Sequence, residues 1–208
     1  MPTPKCLAGI FIGGQSSRML GTPKGLLHPP GSPQNLVERL VANLVAAELP
    51  DIVLVGNNEA YDRLRIPVVP DPLLGRGPMA GLLGLADYAA NSQFEFVVAV
   101  ACDMPGVDEA LLRRLRSEFP MADALVPKRE HWEPLCARYR ARAILPYLQR
   151  LVTQGQARMT CLLELLGAAC VRLPIDPSKA GVLEDWDAPS DLPDGVSYLG
   201  KPVRHRER

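Results

Sequence analysis

The sequence lacks an excess of charge of either sign. Its 208 residues include 23 Lys and Arg and 23 Asp and Glu, so the formal net charge is zero. A chain without a global positive field is not expected to hold a nucleic-acid backbone. We therefore expect no nucleic-acid partner, and any charged ligand must be bound by a local cluster of residues.

Paired cysteines and long apolar runs are also missing. The five cysteines are odd in number and form no C-x-x-C pair, which argues against a disulfide framework and against a thiolate zinc site. No stretch approaches about 18 uninterrupted apolar residues, and the apolar run near the N-terminus is too short for a signal peptide. These absences predict a cytoplasmic protein with no membrane association.

Apolar runs of strand length alternate with stretches of helical period, which is the pattern of βαβ units. The predicted strands are Cys6–Ile12, Asp51–Val55, Pro67–Val69, Phe94–Ala101, Ala124–Val126, Leu135–Tyr139 and Cys170–Leu173. The predicted helices cover Leu36–Val45, Met79–Ala86, Leu111–Leu115, Ala141–Gln154 and Arg158–Leu166. We expect an α/β fold of the Rossmann-like type, with a mainly parallel sheet flanked by helices.

The composition favours one domain. A hydrophobic content of 47% can furnish a single substantial core, and the 21 prolines are spread among the turns instead of being gathered into one linker. We expect one domain over residues 1–193 and a flexible, basic C-terminal tail over residues 194–208.

A glycine-rich segment follows the first predicted strand, at residues 13–24 (GGQSSRMLGTPK). Paired glycines allow a backbone to approach an anion closely, and Arg18 and Lys24 add positive charge. The segment is neither a dinucleotide fingerprint nor a Walker A loop, because Gln15 occupies the lysine position of the latter. It predicts a phosphate cradle, with an ordinary glycine turn as the alternative.

A carboxylate ends the most apolar predicted strand. Asp103 follows the run at 96–102, and Pro105 stops the strand ladder just beyond it. At the carboxyl end of a strand, this carboxylate could hold Mg²⁺ together with the phosphates of a substrate. The alternative role is a cap on the next helix, although Asp108 is better placed for that task.

Two further segments could contribute to a site. Residues 71–81 (DPLLGRGPMAG) form a glycine-rich turn in which Pro78 suits the first position of a helix, whose N-terminus could bind an anion or a base edge. Residues 185–189 (DWDAP) place two carboxylates on one face if the chain is extended there. Tight-turn packing and solvated acidic residues are the respective alternatives.

In combination, these segments resemble the MobA-type nucleotidyltransferases of molybdenum-cofactor maturation, the molybdenum cofactor guanylyltransferases. The family's signature GG-x-S-x-RMG-x-x-K is matched by residues 13–24, with one additional residue, Leu20. Its GPLAG-like and CD-x-P elements are matched by residues 77–81 and 102–105. The segment 185–189 departs from the N-x-N-T-P of many guanylyltransferases and is closer to the D-x-D-T-P of cytidylyl- and sugar-nucleotide transferases.

The resemblance implies roles for individual residues. It assigns Lys24, Arg18 and Asp103 to catalysis, with Asp103 as the Mg²⁺ ligand. It assigns the nucleotide contacts to Gly13, Gly14, Lys24, Asn57 or Asn58, Asp71, Gly77 and Asp103. The implied reaction transfers GMP from GTP to the phosphate of molybdopterin and releases pyrophosphate. Molybdoenzymes or other cofactor-maturation proteins are the further partners that it suggests.

Three alternatives stay open. A cytidylyltransferase acting on molybdopterin or on a sugar phosphate would share the reaction class. A non-catalytic carrier of the nucleotide or of molybdopterin would share the binding site. A P-loop GTPase is disfavoured by Gln15.

Overall fold

Seven strands form one sheet in the computed structural model, which describes residues 5–13, 19, 21–73 and 77–203. They are β1 (Cys6–Phe11), β2 (Ile52–Val55), β3 (Val68–Val69), β4 (Phe96–Ala101), β5 (Ala124–Pro127), β6 (Cys136–Arg140) and β7 (Cys170–Leu173). The strand order is β3-β2-β1-β4-β6-β5-β7. Each predicted strand is found within one or two residues of its expected bounds.

Only β6 runs against the other strands of this sheet. It pairs antiparallel with both β4 and β5, whereas the remaining neighbours pair parallel. Every residue of β1 is buried, and so is β4 up to Val100, as expected for strands covered on both faces. The predicted α/β fold with a mainly parallel sheet is therefore confirmed.

Helices cover both faces of this sheet. They are α1 (Leu36–Ala46), α2 (Pro78–Ala90), α3 (Glu109–Ser117), α4 (Ala141–Thr153) and α5 (Thr160–Leu166). Alternate residues of the central strands face opposite sides, so one core packs against α2, α4 and α5 and the other against α1 and α3. In the described part of the chain, no helix is both long and apolar enough to cross a membrane.

The C-terminal segment folds back over the loop that follows β1. Two short strands, β8 (Ser197–Tyr198) and β9 (Lys201–Pro202), form a hairpin. Ser197 exchanges two backbone hydrogen bonds with His28, at 2.8 and 3.1 Å. Ordered structure thus extends beyond the boundary expected at residue 193, while residues 204–208 of the expected tail lie outside the described residues.

A small third core holds this segment in place. It consists of Met19, Leu27, Leu36, Trp186, Leu192 and Val196. Trp186 is buried between two acidic neighbours, Asp185 and Asp187. Because the indole ring is anchored in this core, the two carboxylates are fixed next to the loop that carries Lys24.

Candidate active site

A cleft of about 910 Å³ opens at the carboxyl ends of β1, β2 and β4, where ligands of open α/β sheets bind. Its lining comes from the loops after β1, β2, β3 and β4, from the start of β6, and from the 185–187 segment. The polar and glycine residues of that lining are Gly13, Lys24, Gly56, Asn57, Tyr61, Asp71, Gly77, Gly81, Cys102, Asp103, Glu133, Asp185 and Asp187.

Lys24 stands at the centre of the charged part of the cleft. Its Nζ donates to Asp103 Oδ2 at 2.8 Å and to Asp187 Oδ1 at 2.5 Å. Burial lowers the pKa of Lys24, but the hydrogen bonds to the two carboxylates outweigh burial, and the pKa is raised above its ordinary value. Lys24 is therefore a firmly protonated cation held between two anions.

Asp103 lies immediately beyond the carboxyl end of β4. Cys102 N–H donates to the Phe11 carbonyl at 3.1 Å, and the Asp103 carbonyl accepts from Trp186 N–H at 2.9 Å. The cap of α3 is Asp108, whose side chain accepts from Leu111 N–H at 2.8 Å. The alternative role for Asp103, as the cap of this helix, is therefore wrong. Its carboxylate accepts a hydrogen bond from Lys24 instead.

The 185–187 segment completes the acidic side of the cleft. Asp187 contacts Lys24, and its backbone N–H donates to Asp191 Oδ2 at 3.0 Å. Burial, together with the nearby charges of Asp187 and Asp103, raises the pKa of Asp185. Three carboxylates therefore gather here, and the repulsion among them favours binding of a cation.

Asp103 and Asp187 are suited to hold a divalent cation. Their carboxylate oxygens converge on a single Nζ, and hard oxygen ligands match Mg²⁺. Among the described residues, no three His, Cys, Asp or Glu side chains form a metal site by themselves. Hard divalent cations such as Mg²⁺ are often held by one or two protein carboxylates, with substrate phosphates and water as the other ligands.

The exits of β1 and β2 approach each other closely at the cleft. Gly56 has a φ of 105°, and a Cβ at this position would lie 3.2 Å from the Cα of Gly13. Asn57 lines the cleft, whereas Asn58 uses its Oδ1 to accept from Ala60 N–H and so caps a 3₁₀ helix. Of the two asparagines left open by the sequence, Asn57 is the one that faces the cleft.

Two of the remaining predicted nucleotide contacts, Asp71 and Gly77, also line the cleft. Asp71 lines the cleft, and its Oδ1 accepts from Leu73 N–H at 3.0 Å. Gly77, with a φ of 72°, is the N-cap of α2, and Pro78 is the first residue of that helix, as predicted. Gly14 and Arg18 lie outside the described residues.

Sequence reasoning missed Tyr61, which contacts both the loop that follows β1 and the loop that follows β4. Its buried hydroxyl accepts from Gly25 N–H at 3.1 Å and lies 3.9 Å from Cys102 Sγ. Position 25 requires glycine, because a Cβ there would lie 2.9 Å from the Tyr61 hydroxyl and 3.0 Å from the Cys102 Cβ. Burial raises the pKa of Cys102 to about 12, so its thiol is not a nucleophile at neutral pH.

We expect Tyr61→Phe to lower the free energy of unfolding by about 1–2 kcal/mol, because the buried Gly25 N–H loses its acceptor. Nucleotide binding should also weaken, since Lys24 is the residue next to Gly25. Chemical denaturation and nucleotide titration would measure both effects. Tyr88→Phe is the control, because Tyr88 is 47% exposed. Unchanged stability and affinity in Tyr61→Phe would contradict the anchoring role.

Fold and cleft together are those of a nucleotidyltransferase of the Rossmann-like α/β class. The chain belongs to the MobA-like NTP transferase family, whose sequence profile matches residues 8–170. The resemblance predicted from the motifs is therefore confirmed, over a stretch that runs from β1 to the start of β7.

Individual relatives agree with the family assignment. The chain is 33% identical over 142 residues to the molybdenum cofactor guanylyltransferase of Pseudomonas syringae pv. syringae, covering 64% of the chain and 67% of that relative. It is 33% identical over 178 residues to the Pseudomonas entomophila enzyme of the same name, covering 81% and 86%. The solved molybdopterin-guanine dinucleotide biosynthesis protein A of Archaeoglobus fulgidus superposes with a TM-score of 0.71 at 25% identity, covering 89% and 94%.

Proposed function

We propose that this protein transfers GMP from GTP to the terminal phosphate of molybdopterin and releases pyrophosphate. The observation that carries the proposal is the meeting of Lys24, Asp103 and Asp187 in one cleft, at 2.8 and 2.5 Å. Relatives named as molybdenum cofactor guanylyltransferases support the choice of substrates.

The order of the strands suggests how the two substrates divide the cleft. Asn57, Asp71 and Gly77 follow β2 and β3, on one side of the Lys24–Asp103 pair. We assign the base and ribose of GTP to that side and the phosphates to the backbone of Gly13, while the nucleotide contact of Gly14 and the catalytic role of Arg18 stay predictions from the motif. The acceptor then approaches from the side of β6, and the α-phosphorus lies near Lys24 and Asp103.

The chemistry requires charge neutralisation more than a general base. A phosphate monoester is already an anion near neutral pH and can attack the α-phosphorus without losing a proton to the protein. Lys24 stabilises the negative charge that develops as pyrophosphate leaves. Mg²⁺, held by Asp103 and Asp187, would neutralise phosphate charge and keep the leaving group in place.

We expect GTP to be preferred over CTP by at least about tenfold in turnover, which corresponds to about 1.4 kcal/mol. Gly13-Gly14 and the GPMAG segment at 77–81 favour guanine, whereas the DWDAP segment at 185–189 favours a cytidylyltransferase. Turnover of the four triphosphates at equal concentration decides between them. Faster turnover with CTP would overturn the base assignment while leaving the reaction class intact.

A further inference from the structure

Glu133 lies at the edge of the cleft opposite the proposed nucleotide side. Its N–H donates to the Pro127 carbonyl at 3.0 Å, and its own carbonyl accepts from Cys136 N–H at 3.0 Å. The backbone is thus fixed to the end of β5 and to the start of β6. Because β6 runs antiparallel to β4, its first residues lie beside the carboxyl end of β4, next to the loop of Asp103.

The carboxylate of Glu133 is half-buried and lines the cleft. Within the part of the chain that the structure describes, no group donates a hydrogen bond to it. Burial raises the pKa of this carboxyl, and the charge of Arg129 opposes that rise. A partly desolvated carboxylate without a donor gains stability from a ligand that brings N–H groups.

The surroundings of Glu133 suit the face of a flat heterocyclic ring. Pro134 and Leu135 follow Glu133 in the cleft lining, and Leu135 packs against the core that contains Met159, which also lines the cleft. Ligand sites commonly combine such apolar walls with a few polar groups that fix orientation. An aromatic heterocycle could pack against these side chains while one of its edges meets the carboxylate.

We infer that Glu133 binds the N–H edge of the pterin ring of the acceptor and sets the specificity for that acceptor. This inference rests on the proposed function. The 2-amino-4-oxopyrimidine edge of a pterin presents a ring N–H and an amino group side by side, which match the two oxygens of a carboxylate. Guanine carries the same edge. We assign the guanine of GTP to the side of the cleft that holds Asn57 and Asp71, so the pterin is the ring left to meet Glu133.

The test compares wild type, Glu133→Gln and the control Glu130→Gln, which changes an exposed glutamate of the same loop outside the cleft lining. The KM for molybdopterin in pyrophosphate release should rise about 10- to 100-fold in Glu133→Gln, because an amide supplies one acceptor and no charge. The KM for GTP and the value of kcat should stay within about twofold, and Glu130→Gln should behave as wild type.

A binding measurement without turnover provides a second readout. The fluorescence of 6-hydroxymethylpterin should report its binding to wild type, and lumazine, which has an oxygen in place of the 2-amino group, should bind more weakly. Glu133→Gln should lose this discrimination, since an amide can donate to that oxygen and accept from the ring N–H.

The possible failures are distinguishable. An unchanged KM for molybdopterin in an active Glu133→Gln protein would overturn the inference about Glu133 alone. A rise in the KM for GTP instead would show that Glu133 contacts the nucleotide and would also overturn it. A wild-type protein that uses GTP but neither binds pterin nor responds to molybdopterin would overturn the proposed acceptor and this inference with it.

Discussion

Replacing Asp103 with Asn should reduce turnover by roughly 10²–10³-fold, equivalent to about 3–4 kcal/mol of transition-state stabilisation. The amide is nearly isosteric but removes the charge that we assign to Mg²⁺ binding. Thermal stability without Mg²⁺ should be unchanged or slightly raised, because Lys24 keeps its contact with Asp187. Removing one of three clustered carboxylates also relieves repulsion on Asp185, whose pKa is raised in part by Asp103.

Asp108 provides a matched control for this prediction. It caps α3 and does not line the cleft, so Asp108→Ala should lower the free energy of unfolding by about 1 kcal/mol and keep activity. Melting temperature and pyrophosphate release would be measured on the same preparation of each variant. A destabilised but active Asp103→Asn protein would refute the metal-ligand role.

Replacing Lys24 with Met should weaken nucleotide binding roughly 10- to 100-fold, because a charge-assisted contact of about 1.5–3 kcal/mol is lost. The structure adds a second consequence. Asp103 and Asp187 both pair with Lys24, so this substitution removes the cation that separates the two carboxylates. Their repulsion should make the variant less stable than wild type in the absence of Mg²⁺.

Calorimetric titration with GTP measures this loss of affinity. Lys179→Met is the control, since Lys179 is exposed and does not line the cleft, and it should bind GTP as wild type does. Unchanged GTP affinity in Lys24→Met would remove Lys24 from the nucleotide site.

The strands and helices could be predicted because burial on both faces leaves continuous apolar runs, as in β1 and β4. The antiparallel direction of β6 could not be predicted, because a short buried strand has the same residue pattern in either direction. Arg138 in β6 was also unexpected, because it is a charged residue that is only 1% exposed. It donates to the carbonyls of Leu115 and Arg116, in the last turn of α3, and of Phe119, just beyond that helix. Only the fold shows that these carbonyls need a donor.

The candidate site could be predicted where a motif or a strand end marks the residue, as for Lys24 in the glycine-rich segment and Asp103 after β4. Lys24 and Asp103 are 79 residues apart, and they meet because β1 and β4 are neighbours in the sheet, an order that local sequence does not encode. Tyr61 and Glu133 follow no recognisable motif, and their positions depend on how loops pack. The contact of Asp187 with Lys24 likewise depends on the anchoring of Trp186.

Pyrophosphate release from each of the four triphosphates, with and without molybdopterin, tests the central proposal most directly. We predict release that requires both molybdopterin and Mg²⁺, is fastest with GTP, and falls by roughly 10²–10³-fold in Asp103→Asn. Release that is independent of molybdopterin, or no release with any triphosphate although GTP and molybdopterin both bind, would contradict the proposed guanylyltransferase and favour a hydrolase or a carrier.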